Sequence, residues 1–208
     1  TVNVDRAVGG SGIGGTHALG RFSMGAATLL VTGDHGYGLS LGAGTVSDTA
    51  YFNNTSNGLL TIGSLHESGS GKTIVVRGTG STIIAGPLTQ ASATNFTKVD
   101  SGNLTLGGTT SFTGAMTIGS TVTTDGSSGE VLAGVSNAIP TGALTVYSGG
   151  TLNLNGNNNT VASLTMGGRN AALPSVVTTG AGTLTLGGNM AYLNTANPLG
   201  AVISEVDF

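Results

Sequence analysis

The sequence predicts an all-β chain wound as a right-handed parallel β-helix, a β-solenoid of about 20 residues per rung. Three observations predict it. First, a short phrase of apolar residue, threonine, apolar residue and glycine keeps returning. It reads Leu60-Thr61-Ile62-Gly63, Leu104-Thr105-Leu106-Gly107-Gly108, Met116-Thr117-Ile118-Gly119, Leu144-Thr145-Val146, Leu164-Thr165-Met166-Gly167-Gly168 and Leu184-Thr185-Leu186-Gly187-Gly188. Second, the chain holds 38 glycines in 208 residues and only 7% charged residues. Third, no segment keeps a helical period. Each phrase alternates like a half-buried strand and stops at a turn residue. One such strand cannot bury its apolar face alone, whereas a stack of near-copies buries all of them in one column.

Taken in order, strands are expected at residues 1–4, 28–31, 73–76, 82–85, 104–106, 121–123, 151–154 and 183–186. Turn pairs separate them: Gly9-Gly10, Gly33-Asp34, Asn57-Gly58, Gly149-Gly150, Asn155-Gly156 and Gly167-Gly168. The best helical window, residues 18–30, is broken by Gly20 and Gly25, each costing about 1 kcal/mol against alanine. The apolar residue of each phrase falls at 60, 88, 104, 116, 144, 164 and 184. These uneven steps exclude a strict hexapeptide or calcium-binding nonapeptide repeat. About ten rungs spaced about 4.8 Å apart would make a rod roughly 50 Å long. Pro87, Pro140, Pro174 and Pro198 sit where loops belong, and no linker divides the chain. One elongated domain over residues 1–208 is expected.

Composition narrows function more by exclusion. Serine and threonine make up about a quarter of the chain, well above ordinary usage. Recurring Val, Ile, Leu and Thr argue against disorder. The net charge is −3 and the basic residues Arg6, Arg21, Lys72, Arg77, Lys98 and Arg169 are scattered, so no nucleic-acid stripe exists. No cysteine is present for a disulfide or a thiolate metal site. No apolar run reaches the 18 or more residues of a membrane span. So little surface charge suits an attached or assembled protein better than a free cytosolic one. Thr1 is preceded by no methionine and no signal-like region, which reads as a piece of a longer precursor.

Motifs with chemical meaning are weak. Gly69-Ser70-Gly71-Lys72-Thr73 spells the end of a phosphate loop, but His66 stands where its first glycine belongs and a strand-like Ile74-Val75-Val76 follows. Gly10-Ser11-Gly12-Ile13-Gly14-Gly15, with Asp34 beyond, spells a dinucleotide fingerprint without the helix it needs. His17, His35 and His66 lie far apart, and Asp34-His35 is an adjacent acid–imidazole pair. The acids Asp5, Asp34, Asp48, Glu67, Asp100, Asp125, Glu130, Glu205 and Asp207 are strewn singly. Rung periodicity can stack some of them; Asp48 and Glu67, for example, are 19 apart, near the spacing of one turn and so of a stacked carboxylate pair. Phe22, Tyr37, Tyr51, Phe52, Phe96, Phe112, Tyr147 and Tyr192 form either a sugar-stacking stripe or, more plainly, internal packing. The polar run 153–159 reads as amide ladders or turns between rungs. No catalytic, cofactor or metal residue is assigned.

Residues 97–189 resemble the autotransporter-associated β-strand repeat of bacterial secreted passenger domains. The ordering that carries the likeness is Lys98-Val99-Asp100-Ser101-Gly102-Asn103-Leu104-Thr105-Leu106, then Phe112-Thr113-Gly114-Ala115-Met116-Thr117-Ile118. Gly142-Ala143-Leu144-Thr145-Val146, Gly149-Gly150-Thr151-Leu152-Asn153-Leu154 and Thr160-Val161-Ala162-Ser163-Leu164-Thr165-Met166-Gly167-Gly168 continue it. Asp100 stands where that repeat usually has glycine, and Gly119-Ser120-Thr121-Val122 replaces its usual Gly-Thr-Leu. The resemblance implies an extracellular right-handed β-solenoid and brings no catalytic residue, because the repeat is a scaffold.

The function expected is therefore structural: a stalk, matrix or filament subunit on the bacterial exterior. A solenoid exposes unpaired backbone groups at its ends. Val2, Val4, Val202 and Ile203 are the candidate assembly edges, with copies of the same chain as partners, end to end. An adhesin recognising surface glycans through lateral loops such as 48–57 is the alternative, and a polysaccharide-acting enzyme a third reading.

Overall fold

The computed structural model describes residues 1–69, 71–90, 93–119, 129–168, 173–195 and 199–204. Among them every regular element is a strand and every strand pairing is parallel. The chain alternates between two sheets. The first takes Val2–Asn3, Ala27–Thr32, Ala50–Asn54, Thr73–Arg77, Asn95–Lys98, Met116–Ile118, Ala143–Val146, Ser163–Gly167 and Met190–Leu193, stacked in chain order. The second takes Gly15–Leu19, Tyr37–Val46, Leu60–Glu67, Thr82–Ile84, Leu104–Leu106, Glu130–Ala133, Thr151–Asn153, Ser175–Thr178 and Ala201–Ser204. The result is a parallel β-solenoid of about 8 turns with roughly 22 residues per turn. Turns are fewer and longer than the repeat spacing predicts, because the loops between strands differ in length. Phe96 pairs with Met116 20 residues on, whereas Met116 pairs with Leu144 28 residues on.

The uneven spacing of the repeat phrase has a simple cause. Met116, Leu144 and Leu164 stack in the first sheet, and Leu60 and Leu104 lie in the second, with Thr82 between them. Leu88 pairs with Leu65 outside the main path, and Leu184 pairs with Asn159 in a short two-stranded sheet. The same phrase thus serves different sides of one coil. A third side begins where long strands change phase. In Tyr37–Val46 the buried positions Leu39 and Leu41 give way to Gly44 and Val46, a slip of one residue at Gly42. Leu60–Glu67 repeats the slip at Gly63. Such an extra residue redirects a strand.

The core is a set of inward columns. One runs Ala50, Ile74, Phe96, Met116, Leu144, Leu164, and a second runs Phe52, Val76, Lys98, Ile118, Val146, Met166. Opposite them stand Leu39, Leu60, Thr82, Leu104, Val131, Leu152 and Val177. All of these are buried. Residues 28–31, 73–76, 82–84, 104–106, 151–153 and 184–186 are strand as the sequence predicts, whereas 121–123 lie outside the described residues. So do Ser70, Asp125, Arg169, Pro198, Glu205 and Asp207.

Candidate functional site

The carboxylates do not converge. Glu67 is fully buried, its register neighbours are Val46 and Gln90, and its oxygens accept from Gly69 N at 2.6 Å and Thr94 Oγ1 at 2.8 Å. Asp48 lies at the surface, accepting from Thr49 N at 2.7 Å and Lys72 Nζ at 3.1 Å. Those two bonds, the backbone one foremost, hold its carboxyl below the ordinary value. The pairing of Asp48 with Glu67 expected from their spacing is therefore not formed. Each acid instead closes a corner between turns.

Other candidate sites also resolve into scaffold. The phosphate-loop lookalike leads into the strand Thr73–Arg77, and its Lys72 is engaged by Asp48. The dinucleotide lookalike leads into the strand Gly15–Leu19, and Asp34 accepts from Asn57 Nδ2 at 2.6 Å. His35 turns away from its neighbour Asp34 and meets Asp5, Nδ1 to Oδ1 at 2.8 Å. That contact, with the Arg6 N–H, holds the Asp5 carboxyl below its usual range. His66 meets Thr89 Oγ1 at 2.9 Å, and His17 stacks on Tyr37 with centroids 5.8 Å apart. Among the described residues no three His, Asp or Glu side chains gather closely enough to hold a metal ion.

The described phenylalanines pack inward. Phe52, Phe96 and Phe112 are buried, and Phe22 meets Phe52 edge-on at 6.1 Å. Tyr51 and Tyr192 are the exposed members of the expected stripe. The lateral loop expected at 48–57 is instead largely a strand, Ala50–Asn54, fixed between Ala27–Thr32 and Thr73–Arg77. The asparagine run joins turns through backbone partners. Asn157 Nδ2 donates to Ala133 O at 3.0 Å, while Asn158 Oδ1 and Asn159 Oδ1 accept from Thr183 N and Ala138 N, both at 2.9 Å.

Two interior charges escaped the sequence reading: Glu67 and Lys98. Lys98 was legible from phase, since it follows the inward Phe96 by two residues on one strand. Glu67 was hidden by the slip at Gly63.

The ends carry the remaining surface features. Val2 pairs with Val31 at the rim of the first sheet and is half-buried. Val4 is only 1% exposed, and its N–H donates to Thr32 O at 2.7 Å. Its side chain belongs to the core, so only its neighbours offer an edge. Val202 and Ile203 are 43% and 51% exposed on the last strand of the second sheet. Beside them a cavity of about 350 Å³ is lined by Thr179, Gly182, Thr183, Leu184, Ile203 and Ser204. Comparison of the chain with protein-family models, with curated proteins and with solved structures finds no match.

Proposed function

We propose that this chain is a structural β-solenoid of the bacterial cell exterior, a stalk, matrix or filament subunit that associates end to end with copies of itself. The observation that carries the reading is where apolar surface is left open. Of the eleven large hydrophobic side chains exposed among the described residues, nine lie at positions 8–19 or 190–203. Met190, Tyr192 and Ile203 pair in register with the inward Leu164, Met166 and Val177 and are exposed, with no turn over them among the described residues. The strands that bear them, Met190–Leu193 and Ala201–Ser204, carry no charge, the usual means of blunting a sheet edge. At the other end Gly15–Leu19 likewise holds no Asp, Glu, Lys or Arg and is exposed throughout. Parallel ladders that run one way from end to end give a heterologous, head-to-tail contact, which propagates unless rotation closes it.

The flanks support a scaffold role by the same logic. Asp5, Asp48, Asp100 and Glu130 each bond to a residue of a neighbouring turn, and the repeat order over residues 97–189 resembles that of a secreted passenger scaffold. The test is sedimentation and negative-stain electron microscopy of the chain over a wide concentration range, beside Ile203→Lys. Rods that lengthen with concentration, and shorten in the variant, are expected. Dispersed single particles at every concentration would end the reading.

A further inference from the structure

We propose that the fold joins Thr94 to Gln90 through an internal ester, with Glu67 as the general base. Glu67 and Gln90 are register neighbours on successive turns, so their side chains leave the coil in the same direction, one above the other. Thr94 touches both heads. Its Oγ1 donates to Glu67 Oε2 at 2.8 Å, and its backbone N–H donates to Gln90 Oε1 at 2.9 Å. From the turn beyond, the Thr113 N–H donates to the same Gln90 oxygen at 3.2 Å, while Gln90 Nε2 donates to Thr113 Oγ1 at 3.0 Å.

Each contact has its counterpart in acyl transfer. A hydroxyl bonded to a carboxylate is a nucleophile beside its base. A carbonyl oxygen held by two backbone N–H groups is polarised as in an oxyanion hole. In serine proteases one of those two N–H groups belongs to the nucleophile's own residue, which sets its hydroxyl beside the carbonyl carbon. Thr94 stands in that relation to Gln90. Glu67 and Thr94 are fully buried, which keeps water from competing with the hydroxyl, whereas Gln90 is half-buried and gives the leaving group a way out. In the reaction Glu67 takes the Thr94 proton as Oγ1 attacks Gln90 Cδ, and the oxyanion forms against the Thr94 and Thr113 N–H groups. Collapse breaks the Cδ–Nε2 bond, and the proton passes from Glu67 to the departing nitrogen. The products are a Thr94 Oγ1–Gln90 Cδ ester and one ammonia, with Glu67 a carboxylate again. Nothing is oxidised or reduced, and no co-reactant is needed. The ester is a covalent staple in a chain that has no cysteine to make one.

Intact-mass spectrometry of the purified chain, kept folded until its mass is constant, tests this. The mass should fall short of the sequence mass by one ammonia. Trypsin, which cuts after Arg77 and Lys98, should confine the loss to residues 78–98, and fragmentation should confine it to the segment from Gln90 to Thr94. Dilute alkali should then add one water and leave a carboxylate at position 90. Thr94→Val and Glu67→Gln should keep the full mass, whereas Thr94→Ser, which retains a hydroxyl, should still lose ammonia; circular dichroism confirms that each variant is folded. Full mass in the folded parent would overturn the ester whatever the variants do. So would a loss that persists in Thr94→Val, or one that fragmentation traces to an asparagine. A loss that persists in Glu67→Gln would overturn the role of Glu67 as base. None of these readouts depends on whether copies of the chain associate.

Discussion

Lys98 Nζ donates to the backbone carbonyl of Asp100 at 2.7 Å, and to that of Val99 at 2.6 Å, from within an otherwise apolar column. The side chain stands between Val76 and Ile118 in register and is 1% exposed. Its head ties down a turn in which Asp100 has φ +62°. The lysine and the left-handed residue are thus parts of one corner: the first supplies donors that the turned carbonyls need. The second swings those carbonyls toward it.

Burial draws the Lys98 ammonium down from 10.5 to about 8, against the opposing pull of Asp100. The unfolded chain keeps that proton to about pH 10.4. Between about 8 and 10.4 the unfolded state binds more protons than the native one, so stability rises with pH across that window. Below about 8 the cost of the buried charge is fully present. The whole rise is worth about 3 kcal/mol. Urea midpoints measured from neutral to alkaline pH should climb for the unaltered chain and lie flatter for Lys98→Met. Parallel curves would show that Lys98 titrates in the fold as it does in water.

Asp100 tests the corner from the other side. Its Oδ2 accepts from Gly78 N at 2.9 Å and faces Arg77 Nε at 3.4 Å. Asparagine tolerates the left-handed region and keeps an oxygen for Gly78 N, so Asp100→Asn should be nearly neutral. Glycine keeps the turn and loses the acceptor. Valine loses both, and a β-branched residue at φ +62° should lower stability by about 2 kcal/mol or more. Thermal unfolding should therefore rank aspartate and asparagine first, glycine next and valine last. A valine variant as stable as the parent would mean that the turn relaxes freely.

This corner also shows what the sequence discloses and what it hides. Position 100 takes φ +62°, the left-handed region that favours glycine. The strand phrases were legible because an alternation of two needs only neighbours on the chain. Their assignment to sides was not, since Leu60, Leu88, Leu144 and Leu184 read alike and differ only in what the preceding turn sets beside them. Val2, Val202 and Ile203 lie on outermost strands of their sheets, as their places near the start and end of the strand order suggest. The burial of Val4 depends on a partner 28 residues away, and no local pattern encodes that.

Gly102 lies in a column of close backbone approach. A Cβ there would strike the Gly80 carbonyl oxygen and stand 2.8 Å from that of Gly78, while Gly102 N donates to Gly78 O at 3.0 Å. Gly80 in turn lies against Ser56, and Gly129 against Gly102. Backbone on both sides cannot step aside as a side chain can. Gly102→Ala should therefore lower stability by about 2–3 kcal/mol, whereas Gly20→Ala, with open space around it, should change it little. Denaturant melts of the two variants side by side give the comparison, and equal losses would remove close approach as the reason for glycine here.

Glu67 provides the second interior test. Its two oxygens accept from Gly69 N and Thr94 Oγ1 with no surface exposure. Glutamine keeps one acceptor oxygen in place, and leucine keeps none. Removing a buried acceptor from its donors costs about 1–3 kcal/mol, so Glu67→Leu should destabilise by about that much and Glu67→Gln by less. Amide hydrogen exchange at Gly69 localises the effect, because its N–H should lose protection in the leucine variant first. If instead leucine proved the more stable replacement, apolar filling would outweigh the polar contacts at this corner, and the carboxylate would need a role other than holding one turn to the next.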